Sequence, residues 1–140
     1  MSYAIIIDPM VNCVFIKFGG THVDGIREKS LEDTINNPNF KMGMNFWQDV
    51  RDQPFPSDTS YKYLKEKSNL AREKYDALIG KCRWATIVSD AEEYARVHQF
   101  VVTGRLRPDL VERKPFRDII KAREWLGIPE DYEIEFPPIV

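Results

Sequence analysis

Carboxylates, an arginine and hydroxyls crowd one short stretch, NFWQDVRDQPFPSDTSY at residues 45–61. Asp49, Asp52 and Asp58 follow an apolar run. α/β proteins commonly hold ligands at such strand ends. Two carboxylates fixed together in a cleft would suit general acid–base chemistry. Arg51 is close enough in sequence to pair with any of them, which would make them structural. Ser57, Thr59 and Ser60 precede a helical pattern. A hydroxyl there can accept an unsatisfied backbone N–H. Once phosphorylated, it would instead place charge at the positive end of the helix. Capping is the commoner use. The ranking for this stretch is cap first, recognition surface second and catalysis third. Asp49, Arg51, Asp52, Ser57, Thr59 and Ser60 form the candidate binding surface, and no residue is assigned a catalytic role.

Elsewhere the chain offers less chemistry. Its histidines are His22 and His98, its cysteines Cys13 and Cys82, and Cys-x-x-Cys is absent, so no metal site is expected. His98 falls on the apolar face of its helix, with no metal-type residue four positions away, and reads as a core or boundary residue. FGGTH has two glycines but neither the spacing nor the lysine of a phosphate loop. No Gly-x-Ser-x-Gly or other nucleophile motif occurs, and no cofactor is implied. RLRPDLVERKPFR carries Arg105, Arg107, Arg113, Lys114 and Arg117. Only Phe116 lies nearby, so the stretch lacks the aromatic interleaving of a nucleic-acid surface. It reads as a solvated loop and helix entry, with a local anion site left open. Trp47, Trp84 and Trp125 read as core or core-edge aromatics.

The 140 residues suit one domain spanning 1–140. Apolar residues at 43% and charged residues at 30% give the balance of a soluble globular protein. A net charge of −2 exerts no overall pull on nucleic acid or anionic membrane. The apolar runs are too short to span a bilayer. MSYAIIIDP lacks the basic start of a signal peptide, so a cytoplasmic protein with reduced, buried thiols is expected.

These residues need elements to position them. YAIIID is β-branched and reads as a strand. NCVFIKF alternates and should pair with it antiparallel across the turn at residues 9–12. Leu31 and Ile35 mark a helix that Asp24 or Ser30 caps and Asn37-Pro38 stops. MGMNFWQDV is a third strand. A long helix runs from about 60 to 79, with Leu64, Ala71, Tyr75 and Leu78 inward and Gly80 just past its end. RWATIVS is a strand covered on both faces. Ser89 or Asp90 caps a helix with Tyr94, Val97, His98, Val101 and Val102 inward and Gly104 at its end. LVERKPF is a short fifth strand or an extended segment. FRDIIKAREWLG is a last helix with Phe116, Ile119, Ile120 and Leu126 inward. The order predicts an α/β fold with a mixed sheet of about five strands, antiparallel at the start and parallel after, with about four helices.

NPNFKMGMNFWQDVRD, CRWATIVSDAEEYARVHQF and VERKPFRDIIKAREWLG together resemble the SpoIIAA-like proteins of the STAS/Sec14-like group. That pattern has a strand ending in aspartate, a strand and helix, and a final helix closing in Ala-x-x-Trp-Leu-Gly, here Ala122, Trp125, Leu126 and Gly127. The resemblance runs from about Val14 to Gly127. It implies a compact mixed sheet with packed helices in a cytosolic, non-enzymatic protein. In anti-sigma-factor antagonists of the group, a serine in an Asp-Ser-x-Gly loop is phosphorylated and governs partner binding. Here Val50 follows Asp49, with neither serine nor glycine adjacent, so the phosphoacceptor maps to no residue.

The expected function is therefore a binding or regulatory module that meets a protein partner through the surface near residues 49–61. A carrier or sensor of a small apolar or lipid-like ligand is the alternative, and a second copy of the chain is a further partner to consider. The classes predict different structures. A carrier predicts a cavity lined by Phe, Met and Trp, an interaction module a filled core and an exposed patch. An enzyme predicts convergent titratable groups in a pocket.

Overall fold

A computed structural model of the protein describes residues 2–102 and 110–139. β1 (Tyr3–Asp8) and β2 (Cys13–Phe18) form the expected hairpin, in register from Tyr3 opposite Phe18 to Asp8 opposite Cys13. Asn12 takes the left-handed conformation in its turn, at φ 52°, a region asparagine tolerates. β3 (Asn45–Asp49), β4 (Cys82–Ile87) and β5 (Val111–Phe116) add in parallel, so the sheet runs β1-β2-β3-β4-β5. The chain is thus α/β with a five-stranded mixed sheet.

Each parallel strand joins on the same side of its predecessor. Crossovers of one hand then carry their helices to one face of the sheet. α1 (Ile26–Ile35), α2 (Tyr61–Leu70) with its extension α3 (Asp76–Ile79), and α4 (Ala91–Val102) share that face. Leu31, Tyr75, Ile79, Val97 and Val101 from these helices pack on Val14, Ile16, Phe46 and Trp84. The opposite face is covered by α5 (Ile119–Leu126) and the segment after it. There Ala122, Leu126 and Ile128, with the half-buried Tyr132, Ile134 and Phe136, close over Cys13, Phe15, Trp47 and Ala85. Cys13 and Cys82 are buried and unbridged, and burial raises both thiol pKa values, that of Cys82 to about 12.

Several helix details depart from expectation. α2 and α3 are joined by a π-helical turn, Ala71–Tyr75. Its extra residue rotates the remainder of the helix by about 100°. Asp76 and Ile79 therefore turn inward, while Leu78, expected in the core, is 50% exposed. α3 ends at Gly80, where φ is 82° and a Cβ would run into the Met42 side chain. α1 has no side-chain cap: Gly25 precedes it at φ 87°, and Ser30 lies inside the helix, donating to the Arg27 carbonyl. In α4, capped by Asp90, the buried stripe is Glu93, Val97 and Val101, and His98 is exposed beside Tyr94. Ile120 is 68% exposed, because Asp118 caps α5 and points its second residue outward. Gly104, Arg105 and Arg107 lie outside the described residues. Among the described residues no helix is long and apolar enough to cross a membrane.

Candidate functional site

The acidic strand end is a closed unit. Asp49 is 2% exposed, and its carboxylate accepts three hydrogen bonds from Arg51: from the backbone N–H at 3.1 Å, from Nε at 3.0 Å and from Nη2 at 2.7 Å. A bidentate arginine with both carboxylate oxygens is a strong, geometrically fixed contact. It leaves Asp49 poorly placed to move protons. Asp52 makes only a loose, exposed pair with Lys17 at 3.8 Å, the kind that contributes little. Ser60 is the N-cap of α2, its hydroxyl accepting from the Tyr63 N–H at 3.1 Å. The Thr59 hydroxyl donates to the Pro56 carbonyl at 2.6 Å and stiffens the turn before the cap. Ser57 is exposed. The six residues share one segment but do not converge on a common point.

The same segment has an inner side. Gln53 and Phe55 are buried, while Arg51, Asp52, Pro54, Pro56, Ser57 and Asp58 are exposed. Gln53 donates from Nε2 to the Gly19 carbonyl at 2.8 Å. The Phe55 N–H donates to Glu93 at 3.3 Å. The Phe55 ring lies beneath the Arg27 guanidinium, 3.9 Å from its centroid, and meets His22 and Tyr63 at 5.1 and 6.2 Å. The segment is thereby pinned to α1 and α4.

Inside this roof lies a partly open cavity of about 90 Å³ between the helices and the sheet. Its floor is Gln48, Trp84, Thr86 and Arg113 from β3, β4 and β5. Leu31, Ala71, Tyr75, Val97, Phe100 and Val101 make the apolar walls. His22, Arg27, Glu28, Phe55, Tyr63 and Lys67 stand toward the segment just described. Apolar walls with a few placed polar groups are the usual make-up of a small-molecule site.

The charges around it are mostly matched. Arg113 and Asp76 form a buried bidentate pair at 2.6 and 2.9 Å. Lys67 bridges Asp24 and Glu28, both at 2.8 Å. Tyr63 donates to Asp24 at 2.8 Å, and burial with this bond raises its pKa to about 12. Burial pushes Glu93 above the usual carboxylate range, although Arg96 pairs with it at 3.4 Å. Burial, helped by the Arg27 charge, lowers the pKa of His22. Arg27 is different. Its Nη2 donates to the Gln53 carbonyl at 3.1 Å, its Nε is buried without a partner, and no ion pair among the described residues includes it.

Sequence reasoning found the outer side of the segment and missed Arg27, Gln48, Phe55 and Glu93. Two signals were present. Gln48 is an amide on the same strand face as Phe46, and Glu93 stands at i, i+4 and i+8 with Val97 and Val101. Of the five basic residues in RLRPDLVERKPFR, Arg113 is buried beside the cavity, while Lys114 and Arg117 are exposed. In comparisons with known proteins, no family model, curated protein or solved structure matches the chain.

Proposed function

We propose that the protein is a non-enzymatic binding module that takes a small amphipathic ligand in the cavity beneath the residue 51–61 segment. The cavity itself carries the reading, because a domain built only for surface recognition would fill this space. Its walls include Phe55, Phe100 and Trp84, aromatic groups that a ligand carrier calls for. Most titratable groups nearby, Glu28, Tyr63, Lys67 and Arg113, are held in ion pairs or hydrogen bonds rather than left free to exchange protons. A binding role also agrees with what the SpoIIAA-like resemblance implies. Xenon or benzene, followed by amide and indole NMR shifts, tests the site. Shifts should gather at Trp84, Val97 and Val101 and vanish in a cavity-filling Ala71→Leu variant. Shifts scattered over the surface, or unchanged by that substitution, would remove the cavity as the site.

The exposed outer side of the same segment favours a second reading, a protein partner meeting Arg51, Asp52, Ser57 and Tyr61. Ser60→Asp keeps an N-cap acceptor and should leave stability within about 0.5 kcal/mol, yet it sets a new charge at that surface. Capture of partners by wild type and variant in parallel tests it. Equal capture with an unchanged melting temperature would take this surface out of consideration.

A further inference from the structure

Resting on the reading of the cavity as a ligand site, we infer that its occupant is a small monocarboxylate. The carboxylate sits at Arg27, and a short apolar part lies against Leu31, Trp84 and Val97.

Charge matching points to one negative charge. The other cations lining the cavity have their partners: Lys67 has Asp24 and Glu28, and Arg113 has Asp76. Arg27 has a backbone carbonyl and the faces of Phe55 and Phe18; Glu93 and Glu28 act on it through space, but no carboxylate among the described residues is within ion-pair distance of it. Burial lowers its pKa to about 10, which leaves it cationic at neutral pH. The lowered pKa of His22 means that this ring adds no second positive charge there.

Hydrogen bonding points to an acceptor. Two buried side-chain atoms among the described residues lack a partner, Arg27 Nε and Gln53 Oε1, and of these only Arg27 belongs to the cavity lining. Gln48 Oε1 accepts from Trp84 Nε1 at 3.2 Å and from the Thr86 hydroxyl at 3.3 Å. An indole N–H can only donate, so this fixes the amide orientation and leaves the Gln48 N–H groups without a partner among the described residues. Of the acceptors lining the cavity, Glu28 Oε1 is on Lys67 and the Tyr63 hydroxyl is tied to Asp24, which leaves the neutral His22 ring with one acceptor nitrogen. A neutral alcohol would meet the hydrogen-bonding need but not the charge. A carboxylate meets both, and its bonds to a guanidinium are charge-assisted.

Size sets the rest. The cavity is about 90 Å³, and a closed apolar cavity of about 150 Å³ holds benzene. By proportion, the cavity encloses roughly four non-hydrogen atoms, and because it is partly open the end of a slightly longer ligand can stand at its mouth. That excludes nucleotides and long acyl chains.

The experiment compares butanoate, butanol and butylamine on the full chain, read by Trp fluorescence and by NMR shifts at the Trp84 indole. Butanoate should bind ~10- to 100-fold more tightly than butanol, the worth of a hydrogen-bonded charge, and butylamine should not bind. Arg27→Gln should remove that advantage, so that butanoate binds no more tightly than butanol. Should that variant fail to fold, the comparison on wild type decides alone. Butanol binding as tightly as butanoate would overturn the carboxylate while the cavity reading stands. Failure of all three, and of xenon, to perturb Trp84 would overturn both.

Discussion

The buried pair between Asp76 and Arg113 is the sharpest place to test how this core is held together. Its side chains are 8% and 5% exposed, and two N–O contacts of 2.6 and 2.9 Å join them. At an effective dielectric near 20, charges at this separation attract by about 6 kcal/mol. Most of that is offset by the cost of removing both from water. Breaking the pair is a different matter from lacking it. Asp76→Ala would leave the Arg113 guanidinium buried over the Trp84 ring, 5.3 Å from its centroid, with no counter-charge. The expected loss is about 3–5 kcal/mol, a fifth or more of the stability usual for a domain. With a urea m-value near 2 kcal/mol/M, the midpoint should fall by about 1.5–2.5 M. The control is Asp76→Leu with Arg113→Met, which removes both charges and should cost far less than Asp76→Ala alone. Urea titration followed by Trp fluorescence measures both. A loss below about 1 kcal/mol for Asp76→Ala, or a double variant as unstable as the single one, would refute the argument.

Leu126 is 5% exposed and anchors α5 to the sheet; Leu126→Ala should cost about 2–5 kcal/mol in chemical denaturation. The raised pKa of Glu93 means that its stabilising contribution is complete below the ordinary value of 4.5 and is lost as pH rises through the folded value. Glu93→Gln should therefore match wild type in acid and gain on it progressively above about pH 4.5, seen as diverging melting temperatures. Deleting one residue of the π turn at 71–75 should swing Asp76 and Ile79 out of the core, with a loss at least as large as that from Asp76→Ala. An unchanged thermal midpoint would show that the turn does not set their facing.

The strands could be read from the sequence because alternation and β-branching act locally. The hairpin was legible from the short turn at residues 9–12, and the parallel strands from the helices between them. Ser60 as a cap was visible for the same reason, since its hydroxyl bonds three residues away. Leu78 was misplaced because periodicity assumes 3.6 residues per turn throughout, and a π turn breaks that count without a sequence mark. His98 and Glu93 exchanged roles because a glutamate reads as solvated until a distant N–H, that of Phe55, meets it. The binding surface was visible only from outside. The cavity behind it joins residues from α1, the 51–61 segment, α2, α4 and three strands, and no local pattern in RDQPFPSD or GIREKS announces that meeting. Arg27 looks like one charge among many in its helix. Only the surrounding carboxylates, each engaged elsewhere, set it apart.

The sequential strand order bears on how the chain is built. Each strand pairs with the one made just before it, but only the β1–β2 hairpin is local; the parallel pairs join residues 29 to 38 apart, as in Cys82 with Val111 and Phe46 with Trp84, and pairing at that range is slow to form. On a ribosome the sheet grows outward from its first hairpin, and each crossover helix settles on the same side as it emerges. The other side has no such running cover. Phe15 and Trp47 are made early, yet Ala122, Leu126 and Ile128, which shield them, arrive only after all five strands have been made. A nascent chain halted before α5 would hold a sheet with one greasy face bare. That interval, rather than the finished fold, leaves the chain most open to aggregation.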